Sequence, residues 1–127
     1  MNWQELEKRI RTELTPNHRG ILKCKCDERR HIVSNDGLKI VMKTGIKTDT
    51  SHSISYKMIR YAFEKLAKRE VFNSSYFRNR FGKEYKNAPC RYSMTGGVLV
   101  EMGVANRHPT GKSCYYTLRY KSGASYP

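Results

Sequence analysis

Acidic side chains are scarce in this sequence. Eleven Asp and Glu stand against twenty-five Lys and Arg, so the formal charge of the 127 residues is +14. A charge of this size raises the local concentration of polyanions and repels a second copy of the chain. A basic surface that meets only solvent is disfavoured, because self-repulsion would cost stability without a compensating contact. The few carboxylates also argue against an acidic catalytic centre.

Long apolar runs are absent as well. No stretch approaches the roughly 18 apolar residues that a membrane span needs. The first fourteen residues carry scattered acidic side chains where a signal peptide would have its apolar segment. These absences predict a cytoplasmic or nuclear protein with no membrane partner, whose four cysteines stay reduced.

The composition is sufficient for one folded domain. Hydrophobic residues make up 38% of the chain and aromatic residues 11%, so a core can form despite the charge. Residues 1–16 carry three basic and three acidic side chains, whereas residues 17–127 carry twenty-two and eight. The positive charge therefore belongs to the body of the domain.

The first part of the chain predicts one helix and a small sheet. Apolar residues recur at helical spacing from Asn2 to Leu14, and Thr15-Pro16 ends the helix. Strands are expected over 21–26, 31–33 and 38–42, and the Asp-Gly pair of 34–37 suits a hairpin turn. The segment 44–53, rich in Thr and Ser, is expected to be a loop. It is either a solvated connector or a loop that approaches a phosphate through hydroxyl and N–H groups.

Two helices are predicted next. Ser53 or Ser55 caps a helix over 56–69 with an apolar face and a basic face. Another helix begins after Asn73 or Ser74 and runs to about Tyr85. Its exposed side carries basic residues, and Pro89 ends regular structure after it.

The stretch from Arg91 to Tyr120 predicts a short helix and a hairpin. Ser93 is placed to cap the helix and Gly103 to end it. Strands over 104–107 and 113–120 flank a turn that contains Pro109 and Gly111. Strand alternation puts Tyr116 on one face of the hairpin and Tyr115 on the other.

This order, three helices followed by a hairpin with a basic tip, resembles a winged helix-turn-helix DNA-binding domain over residues 54–120. The expected fold class is therefore α+β, a winged helix-turn-helix core with an added N-terminal helix and β-hairpin. The expected division is an extension over 1–53 packed on the core, the core over 54–121 and a tail over 122–127. In that family the last helix enters the major groove and the wing grips the neighbouring backbone.

The resemblance implies a set of duplex DNA contacts on the last two helices and on the wing. The residues are Arg78, Arg80, Lys83, Lys86, Arg91, Tyr92, Ser93, Thr95, Arg107, His108, Lys112 and Tyr115. One departure from the family stands out. The groove-entering helix has no Lys, Arg, Asn or Gln between Ser93 and Met102, the residue types that usually contact base edges, and it has Gly96-Gly97 instead.

Other chemistries have weaker sequence support. Cys24 and Cys26 are one residue apart, whereas structural zinc sites favour gaps of two to four, so no metal is expected. Glu84 and Lys86 with Asp36 or Asp49 could form a Mg²⁺-dependent nuclease centre, but Glu84 falls in a predicted helix rather than on a strand. No catalytic triad or nucleotide-binding loop is present, and no cofactor is expected.

The sequence therefore predicts a non-catalytic module that binds double-stranded DNA. It could belong to a regulator, or read sequence or base modification in a restriction or nuclease system. The alternatives are an RNA-binding domain, a small nuclease, or a basic inhibitor that occupies another protein's nucleic-acid channel. The oligomeric state is left open.

Overall fold

The computed structural model describes residues 1–43 and 50–119 and has an α+β fold, as expected. Strands β1 to β4 form an antiparallel sheet in chain order, and β5 pairs with β6 in a separate antiparallel hairpin. The helices are α1 (Trp3–Glu13), α2 (Tyr56–Ala67), α3 (Ser74–Arg80), α4 (Gly82–Asn87) and α5 (Cys90–Glu101). The strands are β1 (Ile21–Leu22), β2 (Arg29–Asn35), β3 (Lys39–Lys43), β4 (Ser51–Ser55), β5 (Ala105–Pro109) and β6 (Cys114–Leu118).

Helix α1 follows the prediction. The side-chain Oδ1 of Asn2 accepts a hydrogen bond from the Glu5 backbone N–H at 2.9 Å, which satisfies one free donor of the first turn. Leu6 and Ile10 are fully buried on the face that meets the rest of the domain. The amphipathic stripe read from the sequence is therefore the packing face of the helix.

The N-terminal sheet differs from the prediction at two places. The strand predicted over 21–26 ends at Leu22, because the chain then turns back and the Lys23 N–H bonds to the Glu28 carbonyl at 3.0 Å. Residues 51–53, predicted to be loop, belong to β4 and pair with β3. The other part of that predicted loop, 44–49, lies outside the described residues.

The turn between β2 and β3 has the predicted chemistry. Asp36 Oδ1 accepts hydrogen bonds from the N–H groups of Leu38 and Lys39 at 2.8 and 2.9 Å. Gly37 has φ +85°, a conformation that suits glycine.

Side chains cap the starts of α2 and α3. Ser55 caps α2 by accepting from the Met58 N–H, and Asn73 caps α3 by accepting from the Tyr76 N–H.

The predicted helix from residue 74 to Tyr85 is two helices. The break falls at Phe81, whose backbone leaves the helical region (φ −127°, ψ 51°). There the Phe81 ring packs 5.3 Å from Phe77 and edge-on to Tyr61, so tertiary packing sets the break.

Helix α5 begins three residues before the predicted start. Ser93 is not its cap; its hydroxyl donates to the Cys90 carbonyl at 3.1 Å inside the first turn. Gly103 ends the helix with φ +76°, as predicted.

The hairpin follows with Arg107 opposite Tyr116. Phe72, between α2 and α3, exchanges two backbone hydrogen bonds with Tyr116 at 2.9 Å and so extends the hairpin on its β6 side.

Aromatic rings fill the centre of the second half of the chain. Phe72, Phe77, Tyr92 and Tyr116 lie with ring centroids 5.2 to 6.2 Å apart in most of their pairings. The Tyr92 hydroxyl donates to the Cys114 carbonyl at 2.7 Å, so the buried phenol is satisfied. The same continuous core includes α1 and the N-terminal sheet, which pack on these elements.

Two of the four cysteines are bonded to each other. Cys24, in the turn after β1, and Cys114, at the start of β6, form a disulfide across 90 residues of sequence. The expectation that all four thiols are reduced is wrong for this pair, because the turn after β1 folds back onto the hairpin. Cys26 and Cys90 are free. The cytoplasmic or nuclear location stays a prediction, and a disulfide is less common there.

Candidate nucleic-acid interface

Four basic side chains are exposed on the neighbouring helices α3 and α4. The α3–α4 basic surface consists of Arg78, Arg80, Lys83 and Lys86. These helices pack their aromatic side onto the core through Phe77 and Phe81, and the basic residues therefore face outward. None of the four forms an ion pair in the described part of the chain, and Glu84 is the one carboxylate on these two helices. The surface is thus positive and uncompensated.

The outward face of the hairpin carries an aromatic pair. The rings of His108 and Tyr115 stack at 4.8 Å with an interplanar angle of 14°. His108 Nε2 lies 2.7 Å from the Thr117 hydroxyl, which fixes the ring on the strand. Tyr115 remains 37% exposed, and Lys112 is exposed in the turn at the hairpin tip. A flat polar ring and a cation at the tip can both contact a nucleic-acid strand.

The two arginines predicted to contact DNA from α5 and the hairpin are bonded inside the protein. Arg91 donates to the Ser53 carbonyl at 2.8 Å and to the Glu84 carbonyl at 3.0 Å, which ties β4 to α4. Arg107 donates through Nη1 to the Lys23 carbonyl at 2.8 Å and to the Cys26 carbonyl at 2.6 Å. Their fixed geometry supports the fold, so neither is assigned to the interface.

Three further predicted contacts lie in the core. Tyr92, Ser93 and Thr95 are 3%, 5% and 0% exposed, so in this conformation their side chains do not reach a groove or a phosphate. The side of α5 that was expected to be exposed is covered by β1. A Cβ added at Gly97 would lie 2.5 Å from Ile21 Cγ2 and 2.8 Å from the Leu22 carbonyl oxygen.

An ion cluster fixes the elements around β1 to the end of α5. Glu101, at the end of α5, accepts from Arg19 at 2.8 Å and from Arg29 at 2.9 Å. Burial acts to raise the pKa of Glu101, but the hydrogen bonds from the two arginines outweigh it, and the pKa is lowered. The segment before β1 and the start of β2 are thereby attached to the end of α5.

The buried phenols of the aromatic core are not acid–base groups at neutral pH. Burial raises the pKa of both Tyr92 and Tyr116 well above the ordinary value for tyrosine. Both hydroxyls therefore stay protonated. The 3% exposure of Tyr92 also means that its ring is not available to stack on a base.

The residues considered for metal or catalytic chemistry are dispersed. Cys24 is bonded to Cys114 and so is not available to ligate zinc beside Cys26. Asp36 is occupied by the turn between β2 and β3, and Asp49 lies outside the described residues. Across 1–43 and 50–119, no three His, Cys, Asp or Glu side chains come together as a metal site. No helix in those same ranges is long and apolar enough to cross a membrane.

One functional candidate was missed in the sequence. Arg30 on β2 is buried, although its charge suggested an exposed position. Strand alternation could have predicted this burial, because Arg30 is two residues from the apolar Ile32 and so lies on the same face of the strand.

Comparison of the chain with protein-family models, with curated proteins and with solved structures finds no match.

Proposed function

We propose that this domain binds nucleic acid, duplex DNA in the first place, without catalysis of its own. The observation that carries the proposal is the α3–α4 basic surface, four exposed cations to which residues 1–43 and 50–119 offer no acidic partner, in a chain of charge +14. Such a surface recruits a polyanion, and releasing the counterions of the nucleic acid supplies much of the binding free energy.

The order of elements supports a winged helix-turn-helix core. From α2 to β6 the chain runs through the helices and then the hairpin, and the Phe72 bridge places the α2–α3 junction beside β6. We therefore keep the winged-helix core as part of the proposal. The hairpin, with Lys112 at its tip and the His108–Tyr115 pair on its outward face, takes the place of the wing.

The covered helix α5 changes the expected mode of binding. Because its middle residues are buried, we propose that the contacts are made to phosphates by the α3–α4 basic surface and the hairpin tip. Phosphate contacts position a protein on a duplex but carry no sequence information. We therefore expect modest sequence preference, with any preference arising at the hairpin. A role in a regulator or in a restriction or nuclease system stays a prediction.

The decisive measurement is the affinity for one mixed sequence offered as duplex DNA, duplex RNA and single-stranded DNA over a salt series. We expect duplex DNA to be preferred and log K to fall linearly with log salt. A preference for RNA would favour the alternative function. Weak binding to all three at low salt would overturn the proposal and leave a protein partner as the target of the charge.

Charge variants locate the surface. Replacing Arg78, Arg80, Lys83 and Lys86 together by Gln should lower the salt slope by about two to four units, and Lys112→Ala by about one. The matched control replaces Lys8, Lys39, Lys57 and Lys68 by Gln, which removes the same charge from exposed positions elsewhere. If both quadruple variants lose the same affinity, the charge acts globally and the surface assignment is wrong.

A further inference from the structure

Arg30 points its side chain into the protein. On β2 the buried positions are Arg30 and Ile32, and the exposed positions between and beyond them are His31 and Val33. The strand therefore presents a guanidinium where an apolar side chain would be ordinary. Arg30 is 6% exposed.

In the part of the chain that the structure describes, no group forms a hydrogen bond with Nε or Nη1 of the Arg30 guanidinium, and both atoms are buried. The adjacent Arg29 shows the usual arrangement. It donates through Nη1 to the Gly20 carbonyl at 2.8 Å and to Glu101 Oε2 at 2.9 Å. The charge of Arg29 is thus paired with Glu101, whereas no carboxylate in the described residues pairs with Arg30.

The groups around Arg30 do not neutralise it. Burial lowers the pKa of the Arg30 guanidinium, and the Cys90, Tyr116 and Cys26 side chains act in the opposite direction. No carboxylate is among these groups, and arginine does not give up its proton in proteins. An unpaired buried charge is strongly destabilising. An anion supplied from outside the chain would remove that cost.

We propose that Arg30 is the receptor for a small oxyanion, bound on the buried face of β2 through the Nε and Nη1 donors that no group in the described part of the chain satisfies. The planar guanidinium presents paired donors that match two oxygens of a phosphate group. The ligand is either inorganic phosphate or the phosphate of a monoester.

This site is separate from the proposed nucleic-acid surface. A receptor with 6% exposure does not reach the internal phosphates of a duplex, whereas the residues of the α3–α4 basic surface are exposed. Loss of either site should leave the other intact, so the two proposals are tested independently.

The test is thermal unfolding of the full chain in sodium phosphate and in sodium chloride at equal ionic strength. Phosphate should raise the Tm of the wild type in a saturable way, by about 5 °C or more at saturation. Arg30→Met should lose this response, and Lys57→Met, which removes an exposed charge, should keep it. In chloride, Arg30→Met should be at least as stable as the wild type, because the unpaired charge is gone. Equal responses from the wild type and Arg30→Met would overturn the proposal.

A direct titration covers the case in which Arg30→Met does not fold. Phosphorus NMR of inorganic phosphate with the wild-type chain should show saturable binding of one phosphate, and Arg30→Lys should weaken it about tenfold because the paired donors are lost. Absence of a saturable change in the wild type would refute the site. A parallel titration with a nucleoside 5′-monophosphate identifies the source, since a site closed around a free ion excludes the ester and an open one accepts both.

Discussion

Two adjacent glycines set how closely other elements approach α5. A Cβ at Gly96 would collide with the Tyr116 ring, and one at Gly97 would meet Ile21 and the Leu22 carbonyl oxygen. In the sequence these residues only weaken a helix, by roughly 1 kcal/mol each relative to Ala. In the fold their missing side chains are the space into which the hairpin and β1 pack.

We therefore expect Gly96→Ala and Gly97→Ala to destabilise the protein by about 1–3 kcal/mol, because overpacking outweighs the gain in helix propensity. Chemical denaturation measures the change in the free energy of unfolding. Gly82→Ala, at the start of α4 with nothing within 4 Å of the added Cβ, is the matched control and should be neutral or slightly stabilising. A Gly97→Ala variant as stable as this control would show that β1 does not lie on α5.

At the scale of elements, the turn between β1 and β2 is fastened to the hairpin twice. The Cys24–Cys114 disulfide makes one connection, and Arg107, which holds the carbonyls of Lys23 and Cys26, makes the other. Both link residues that are 80 to 90 positions apart in sequence. Through this turn, β1, which packs on α5, is connected to β5 and β6.

Reduction of the disulfide should lower the free energy of unfolding by about 3–5 kcal/mol, because it frees a long loop in the unfolded chain. Denaturation with and without a reducing agent measures this loss. Cys24→Ser and Cys114→Ser should show a similar loss and no response to reductant, whereas Cys26→Ser should behave as the wild type. A wild type unaffected by reductant would mean that the purified protein holds the two thiols unbonded.

The helix ends show which features of the fold short sequence patterns can predict. The start of α1 at Asn2 and the end of α5 at Gly103 were predicted and are confirmed. Of the two caps predicted for α2, Ser53 or Ser55, the structure has Ser55. The break at Phe81 was not predicted, although Gly82 follows it directly; Gly82 does not take the left-handed conformation of a helix-ending glycine. The break depends on where the Phe81 ring finds space beside Tyr61 and Phe77.

At the scale of the whole molecule, the positive charge exceeds what the internal ion pairs use. Acidic residues are fewer than half as many as basic ones, so most cations have no carboxylate to pair with. Mutual repulsion among them opposes the compact state, and salt screens it over about 10 Å at 0.1 M.

We therefore expect the Tm to rise with sodium chloride between about 0.02 and 0.3 M, by an amount equivalent to about 1 kcal/mol or several degrees. Differential scanning calorimetry at constant pH measures this rise. The quadruple Gln variant of the α3–α4 basic surface should show a smaller rise, because four of the repelling charges are gone. A Tm that falls with salt would mean that the surface ion pairs outweigh the repulsion.

The basic character of the molecule, its α+β class and most helix boundaries could be predicted, because they depend on composition, spacing and capping within a few residues. Among the predicted interface residues, those whose exposure depends on local helix periodicity are exposed. Arg78, Arg80, Lys83 and Lys86 are exposed, since an aromatic stripe on the same two helices orients them outward.

The remaining features depend on contacts between distant segments of the chain. Burial of α5 and the disulfide depend on segments distant in the chain, Ile21 against Gly97 and Cys24 against Cys114. Burial of Arg30 likewise depends on what packs over the inner face of β2. No local pattern encodes which of two possible faces a distant strand will cover. Burial is a property of the assembled core, and the core exists only once the chain has folded.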